Sequence, residues 1–343
     1  MSDLVYVALS GGVDSAAAAV ILKEQGYNVK GVTLRLKPGN LADCDILDAR
    51  AVADTLNIPL EVIDCREDFK KITDYFCGSY LKGETPNPCV LCNPNIKIGK
   101  LVDFAEKNGA VFVATGHYCD IFEDNGKFHI KKNPSSKDQS YFLCGLNQHL
   151  LSMVRFPLSS YTKDEIRELA FKNNIPVAAK KDSQEVCFIP DNDYISFIER
   201  EKNPKAVPGN FLSSSGEILG THQGLYKYTI GQRKGLGAFG KPMYVLEINP
   251  QNNSVIIGDN DELFKSEIYI KNINFIDKDF DTERFSCQVK IRCAARPAQA
   301  IYEKTENGGK LIFSEPQRAA APGQTAAMYK NDILLGGGTI CNP

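Results

Sequence analysis

The sequence predicts an α/β N-terminal domain with a parallel sheet, followed by a small β-rich central domain and a C-terminal β-barrel-like domain. Three observations lead there. The first 115 residues alternate short apolar runs with amphipathic stretches, the rhythm of buried strands between helices. Beyond about residue 200 helical patterning largely disappears, and short β-rich segments are separated by Gly, Asn and Asp. The length, 343 residues, suits two or three domains at about 100–200 residues each. Boundaries are expected at 1–200, 201–264 and 265–343. The first break is the charged, Pro-interrupted run Glu201 to Pro208, and the second falls near Leu263 to Ser266.

Each element has its own signal. Leu4 to Leu9 is a continuous apolar run, as expected of a buried parallel strand. A Ser/Gly turn and an Ala-rich helix from about Asp14 to Glu24 follow, closed by Gly26. Strands are expected at Asn28 to Leu34, Leu60 to Ile63 and Val111 to Ala114, and helices at Asp43 to Leu56 and Ile96 to Lys107. Asp124-Asn125-Gly126 marks a hairpin. Thr162 caps a helix running to Asn173. In the second half Met243 to Ile248, Ser254 to Gly258, Phe285 to Ile291 and Lys310 to Phe313 read as strands.

Composition narrows the class. Hydrophobic residues make up 43% and charged residues 24%, an ordinary globular balance. Forty Lys and Arg against 42 Asp and Glu give a net charge of −2, so any polyanion must be met by local patches. No run approaches the roughly 18 apolar residues of a membrane span, and Met1-Ser2-Asp3 has no basic leader. A soluble, cytoplasmic protein is expected. Eleven irregularly spaced Cys argue for thiol or metal chemistry rather than a disulfide framework.

Three segments carry chemistry. Ser10-Gly11-Gly12-Val13-Asp14-Ser15 follows the first strand and opens the first helix, where backbone N–H groups and the helix dipole favour phosphate. The Gly-Lys-Ser/Thr ending of a Walker A loop is missing. Thr85-Pro86-Asn87-Pro88-Cys89-Val90-Leu91-Cys92-Asn93 places a CxxC pair at the start of a helix, whose N-terminus would lower a thiol pKa. Lys180 to Phe188 sets Cys187 after two cations and before an apolar strand-like stretch. Three decoys fail on local grounds. Gly235 to Gly240 fits GxGxxG, but Lys241-Pro242 stops any helix. Asp277, Asp279 and Asp281 lack the Gly and Glu of a calcium loop. Asn252-Asn253-Ser254 is a sequon without use in the cytosol. Basic runs free of acid occupy 127–137, 225–241 and 287–302, a pattern that fits an RNA partner.

The phosphate loop resembles that of the N-type ATP pyrophosphatases, SGGxDS. Together with TPNPCVLCN, Thr115-Gly116-His117-Tyr118, Lys137-Asp138-Gln139-Ser140-Tyr141, Asp182-Ser183-Gln184-Glu185-Val186-Cys187-Phe188, Tyr228 to Gly237, Pro322-Gly323-Gln324 and Leu335 to Ile340, the order of motifs is similar to the tRNA 2-thiouridylase family over nearly the whole chain. The resemblance implies a Rossmann-like catalytic domain and ATP with Mg²⁺ as cofactors. It also implies the anticodon region of tRNA, with its wobble uridine, as substrate, and a persulfide donor protein as partner; no membrane is involved. It assigns Ala8, Leu9, Ser10, Gly11, Gly12, Val13, Asp14, Ser15, Leu34 and Gly116 to ATP, and Asn87, Pro88 and Cys89 to the target base. Cys92 is then the nucleophile and Cys187 the persulfide carrier, joined by a transient disulfide. His117, Lys137, Asp138, Gln139, Arg292, Cys293 and Gln324 match tRNA-contact positions, and Arg233 and Lys234 extend them. Many members carry Asp where this chain has Cys89, and a thiol there departs from the family pattern. A [4Fe-4S] cluster on Cys89, Cys92 and Cys187 is the alternative route. A different N-type ATP pyrophosphatase synthetase and a zinc- or RNA-binding module are the competing functions.

Overall fold

The computed structural model describes residues 2–37, 40–135, 137–180, 186–189 and 192–343, with only the backbone at 40–43. Lys181 to Glu185 of the segment before Cys187 lie outside the described residues. In chain order the first half holds β1 (Leu4–Ala8), α1 (Val13–Glu24), β2 (Asn28–Arg35), α2 (Asn40–Thr55), β3 (Leu60–Asp64) and α3 (Arg66–Leu81). Then come α4 (Pro88–Cys92), a π-turn (Asn93–Lys97), α5 (Gly99–Lys107) and β4 (Phe112–Ala114). The hairpin β5 (Cys119–Asp124) and β6 (Lys127–Lys132) precedes α6 (Gln148–Met153), β7 (Val154–Arg155), α7 (Lys163–Lys172) and α8 (Tyr194–Lys202).

Strands β3-β2-β1-β4-β7 form an all-parallel sheet. Side chains of β1 alternate between its faces as the two-residue period requires. Val5 and Val7 pack with Ala16 to Leu22 of α1 and Ile166 and Ala170 of α7. Tyr6 packs on the other face with Leu101, Val102 and Ala105 of α5. Helices therefore cover both faces, the arrangement that puts ligands at the carboxyl ends of the strands.

Two stretches differ from the sequence expectation. Residues 66–81, unassigned above, form α3, with Phe69, Ile72, Phe76, Cys77 and Tyr80 buried at helical spacing. The helix expected over Ile96 to Lys107 is interrupted at its start. Pro94 has no N–H to donate, and the chain makes an i→i+5 bond from Ile98 N to the Asn93 carbonyl, 2.8 Å.

The central sheet runs β10-β11-β8-β9, with β8 (Gly209–Leu212), β9 (Ile218–His222), β10 (Tyr244–Asn249) and β11 (Ser254–Gly258). After it come β12 (Phe264–Phe275), β13 (Arg284–Lys290), β14 (Ala298–Thr305), β15 (Gly308–Arg318), β16 (Thr325–Lys330) and β17 (Ile333–Cys341). They pair β12-β15-β14-β13-β16-β17, and β17 returns to β12, closing a six-stranded barrel. The β5–β6 hairpin turns at Asn125 and Gly126, both at positive φ as its tight turn demands. It joins the barrel rather than the parallel sheet: Ile130 pairs with Leu334 and Lys131 with Ile333. One continuous sheet thus ties the barrel to the first domain.

Candidate active site

The phosphate loop lies at the carboxyl edge of the parallel sheet, between β1 and α1. Ser15 Oγ accepts from the Ser10 N–H at 3.1 Å and donates to the Gly12 carbonyl at 2.9 Å, which fixes the turn. No side chain caps the α1 N-terminus, so its N–H groups are open to an anion. Leu34 near the end of β2 and Gly116 just after β4 flank the loop. A Cβ on Gly116 would lie 2.9 Å from the Asp14 carbonyl carbon and the Ser15 nitrogen, so only glycine allows this approach. Asp14 accepts hydrogen bonds from the Tyr118 hydroxyl, 2.6 Å, and from Lys163 Nζ, 2.7 and 2.8 Å.

The second part of the site is a group of thiols around a lysine. Cys89 and Cys92 belong to the single turn α4, and Cys92 is 4% exposed. Burial pushes the Cys92 thiol up to about 12. The Lys97 ammonium and backbone N–H pull it back, while the charges of Cys187 and Cys89 raise it further. Cys89 is likewise held up by burial. The thiol-lowering helix start expected from the CxxC spacing is thus overturned. Cys92 ends its short helix rather than starting one, and desolvation of a thiolate outweighs a partial dipole. Lys97 was not among the candidates. Burial pulls its ammonium down, but Cys187, Cys89 and Cys92 together hold it above its ordinary range. The π-turn brings it there.

Cys187 sits on a turn, Val186 to Ile189, closed by the Ile189 N–H to the Val186 carbonyl at 3.0 Å, instead of the expected strand-like stretch. The thiol is exposed while the adjacent Phe188 is buried. Phe188 packs against Phe69, Phe76 and Phe197 with centroids 5.2–5.6 Å apart, so α3 and α8 form the floor of this turn. All eleven cysteines are free. Among the described residues no three His, Cys, Asp or Glu side chains converge to hold a metal ion.

Residues 115–118 join the two parts. Gly116 packs on the phosphate loop and Tyr118 holds Asp14. Between them His117 is brought down to about 3 by burial and by the Lys97 charge, with its Nδ1 2.7 Å from Thr115 Oγ1. The imidazole is neutral at physiological pH.

The barrel braces the CxxC loop. The Thr85 N–H donates to the Pro322 carbonyl at 2.7 Å, and Gln324 Nε2 donates to the Thr85 carbonyl at 3.2 Å. Gly323 lies directly on Thr85. Asn87 bonds Tyr141, whose hydroxyl also donates to the Thr325 carbonyl, 2.8 Å. Several residues expected at tRNA thus have internal partners. Asp138 accepts from the N–H groups of Asn133 and Ser140, and Gln139 accepts from the Tyr118 N–H. Arg292 donates to the carbonyls of Ile230 and Ala319 at 3.0 and 2.9 Å, clasping the central domain to the barrel. Negative charge on Cys293, beside it, would add to the burial that raises the Cys89 thiol.

The basic runs are less free than their sequences suggest. Lys127 pairs with Asp277 and Asp279, and Lys132 with Asp332. Lys227 pairs with Glu199 and Lys241 with Asp259. The acids come from distant segments, which local charge counting cannot see. Arg233, Lys234 and Arg296 stay exposed, without an ion-pair partner among the described residues.

Comparison with known proteins agrees with this constellation. Residues 3–191 match the family profile described as a tRNA methyl transferase HUP domain. Residues 195–259 match its PRC-barrel domain, and 265–340 an aminomethyltransferase β-barrel domain. The tRNA-specific 2-thiouridylase MnmA of Clostridioides difficile is 44% identical over 99% of this chain and 98% of its own length. The chain belongs to the tRNA-specific 2-thiouridylase family. The MnmA of Carboxydothermus hydrogenoformans, another member, is 45% identical over 98% of this chain and 97% of that protein. Among solved structures, the U34-tRNA thiolase NcsA of Methanococcus maripaludis with its [4Fe-4S] cluster covers 58% of this chain and 67% of its own at 17% identity. Its TM-score of 0.38 is too low to bear on the site. Among the described residues no helix is long and apolar enough to cross a membrane.

Proposed function

We propose that this protein is a tRNA 2-thiouridylase that activates O2 of the wobble uridine with ATP and replaces that oxygen by sulfur. The observation that carries this reading is the four-residue link Thr115 to Tyr118. It ties a phosphate loop, through Gly116 and Tyr118, to a thiol pocket, through His117 and Lys97, within one site. Family membership over the full chain supports the same conclusion. It also leaves the amide-forming synthetase and the zinc-binding module without support.

In the first step uridine O2 attacks the α-phosphorus of ATP, and pyrophosphate leaves with the electron pair of the broken P–O bond. The loop Ala8 to Ser15, with Leu34 and Gly116, holds the nucleotide. Asp14 would hold a magnesium ion at the nucleotide, and such an ion would screen the phosphate charge. Asn87, Pro88 and Cys89 line the pocket for the extruded base. Arg233, Lys234 and Arg296 meet backbone phosphates of the RNA.

Sulfur arrives on Cys187 as a persulfide, and the exposed position of that thiol suits loading by a donor protein. The Cys92 thiolate attacks the Cys187 sulfur, and the terminal sulfur leaves as hydrosulfide and adds to C2 of the uridine. AMP departs with the C2–O electron pair. A Cys92–Cys187 disulfide remains, and a cellular dithiol reduces it. Lys97 lowers the cost of forming the Cys92 thiolate in a buried place. The test is undermodified tRNA with ATP and a persulfide donor. Pyrophosphate release should require tRNA, and Asp14→Ala should abolish it. Cys92→Ser and Cys187→Ser should each abolish 2-thiouridine while keeping pyrophosphate release. Thiolation by Cys187→Ser would refute the assigned carrier.

A further inference from the structure

Three hydroxyl groups from separate segments meet on one threonine of the central domain. Thr85 Oγ1, 144 positions before Thr229, donates to the Thr229 hydroxyl at 3.4 Å. The phenols of Tyr80 in α3 and Tyr194 in α8 reach the same hydroxyl, and their rings stack with centroids 4.5 Å apart. The core beside them is apolar, with Tyr80 packed among Phe76, Phe188 and Cys92. Apolar side chains would fill such a contact about as stably, because a buried hydrogen bond adds little net free energy. A satisfied hydroxyl network instead fixes one arrangement of the elements that supply it. Here those elements carry the two reacting thiols. Thr85 opens the loop that leads to Cys92, while α3 and α8 form the floor under Phe188, the neighbour of Cys187. Thr229 is itself held firmly from the central domain. Its N–H donates to Gln232 Oε1 at 3.0 Å, and its carbonyl accepts from the Gln232 N–H at 2.9 Å. Gly83, just after α3, lies against β10, where a Cβ would come within 2.6 Å of Ile248 Cγ2.

We infer that Thr229 is a positioning residue for the sulfur step, which sets the approach of Cys92 to Cys187; this rests on the reacting pair proposed above. It acts through Thr85, Tyr80 and Tyr194 and transfers no proton. Its hydroxyl ties the Cys92 loop to the floor of the Cys187 turn from outside the catalytic domain. Reacting atoms displaced by about 1 Å lose rate steeply, so a remote tie of this kind reaches the chemistry. A residue that served folding alone would lower stability without changing how readily the two thiols meet.

The thiol–disulfide equilibrium of the full-length protein in glutathione buffers reads that approach. Protein dithiol and glutathione disulfide give the Cys92–Cys187 disulfide and two glutathione, and peptide mass spectrometry counts the bridged form. Thr229→Val, which keeps the shape and removes the hydroxyl, should lower the effective concentration of the pair by about tenfold. Single-turnover sulfur transfer from a preloaded persulfide should slow by about the same factor. Pyrophosphate release with tRNA, and affinity for an anticodon stem-loop RNA, should both stay within about twofold of wild type. Thr229→Ser should recover most of the loss. Tyr194→Phe should give a smaller loss and add nothing to Thr229→Val, since both cut the same link; it carries the test if Thr229→Val fails to fold. An unchanged effective concentration in Thr229→Val, equal losses in the Val and Ser variants, or a matching loss of RNA affinity would overturn the role. Wild-type protein that forms no Cys92–Cys187 disulfide would refute the reacting pair and the inference with it. Wild-type protein that forms it with the expected dependence on Thr229, yet makes no 2-thiouridine, would instead refute the thiouridylase reading and leave Thr229 standing.

Discussion

The phosphate loop is made of six consecutive residues whose turn is fixed by hydrogen bonds among Ser10, Gly12 and Ser15, with only Gly11 and Asp14 reaching distant partners. The thiol pocket draws on residues 85–97, 115–118 and 187, rests on the aromatic floor of α3 and α8, and is braced by the barrel at Pro322 and Gln324. The loop works by leaving backbone donors open, so its chemistry is local. The pocket works by burying thiols near a cation, so its chemistry exists only once distant segments have packed. The difference predicts which part tolerates remote change. Barrel and α3 substitutions should reach the sulfur step and spare nucleotide binding.

The largest effect is expected at Lys97. Lys97→Met should slow single-turnover sulfur transfer from a preloaded persulfide by about tenfold or more near neutral pH, since one pKa unit is about 1.36 kcal/mol. The sign follows from Cys92, already raised to about 12. Removing a nearby cation raises it further, so the alkaline limb of the rate should move to higher pH. ATP binding should not change. A loss that is constant across pH would break the link between Lys97 and the Cys92 thiolate.

That contrast also explains what the sequence could reveal. Ser10 to Ser15 was legible because strand, glycines and helix start are contiguous, and the continuous apolar run of β1 within a βαβα rhythm gave the parallel sheet. The Asn125-Gly126 hairpin was legible for the same local reason, while its pairing with Leu334 was not. Lys97 was hidden because residues five apart do not share a regular helix face, and only the π-turn makes it a neighbour of Cys92. Its signals are Pro94, which cannot donate, and Gly99, where a Cβ would lie 2.3 Å from the Pro94 carbonyl. The high thiol pKa values were misjudged because the CxxC spacing says nothing of burial. The α3 pattern was present in Phe69, Ile72 and Phe76, but its role, carrying Phe188, depends on packing.

A middle-sized effect belongs to the link between the regions. His117 titrates near 3 in the folded chain, below its ordinary 6.5. The unfolded chain therefore takes the proton first, and stability present above pH 6.5 is lost as pH falls toward 3. The slope is about 1.4 kcal/mol per pH unit at most. Urea unfolding at pH 7 and pH 5 should show up to about 2 kcal/mol more loss in wild type than in His117→Gln. Equal pH dependence in the two proteins would mean that His117 is not held neutral by its surroundings.

The smallest effect tests the brace. Gln324→Ala removes the side-chain hydrogen bonds to the Thr85 and Pro86 carbonyls of the CxxC loop, about 0.5–1.5 kcal/mol each. Sulfur transfer should slow by about two- to tenfold while affinity for an ATP analogue stays unchanged. Weaker ATP binding in this variant would show that the two regions are not separable as drawn.

The central claim is that the reacting pair is Cys92 and Cys187, with Cys89 a neighbour and Lys97 the activating charge. The direct measurement is 2-thiouridine formation by Cys89→Ala in iron-free buffer with a persulfide donor. Persulfide transfer between Cys92 and Cys187 predicts that substantial activity is retained without any visible-absorbing chromophore. Complete inactivity of Cys89→Ala, accompanied by loss of iron and of a chromophore that the anaerobically purified wild type carries, would contradict it.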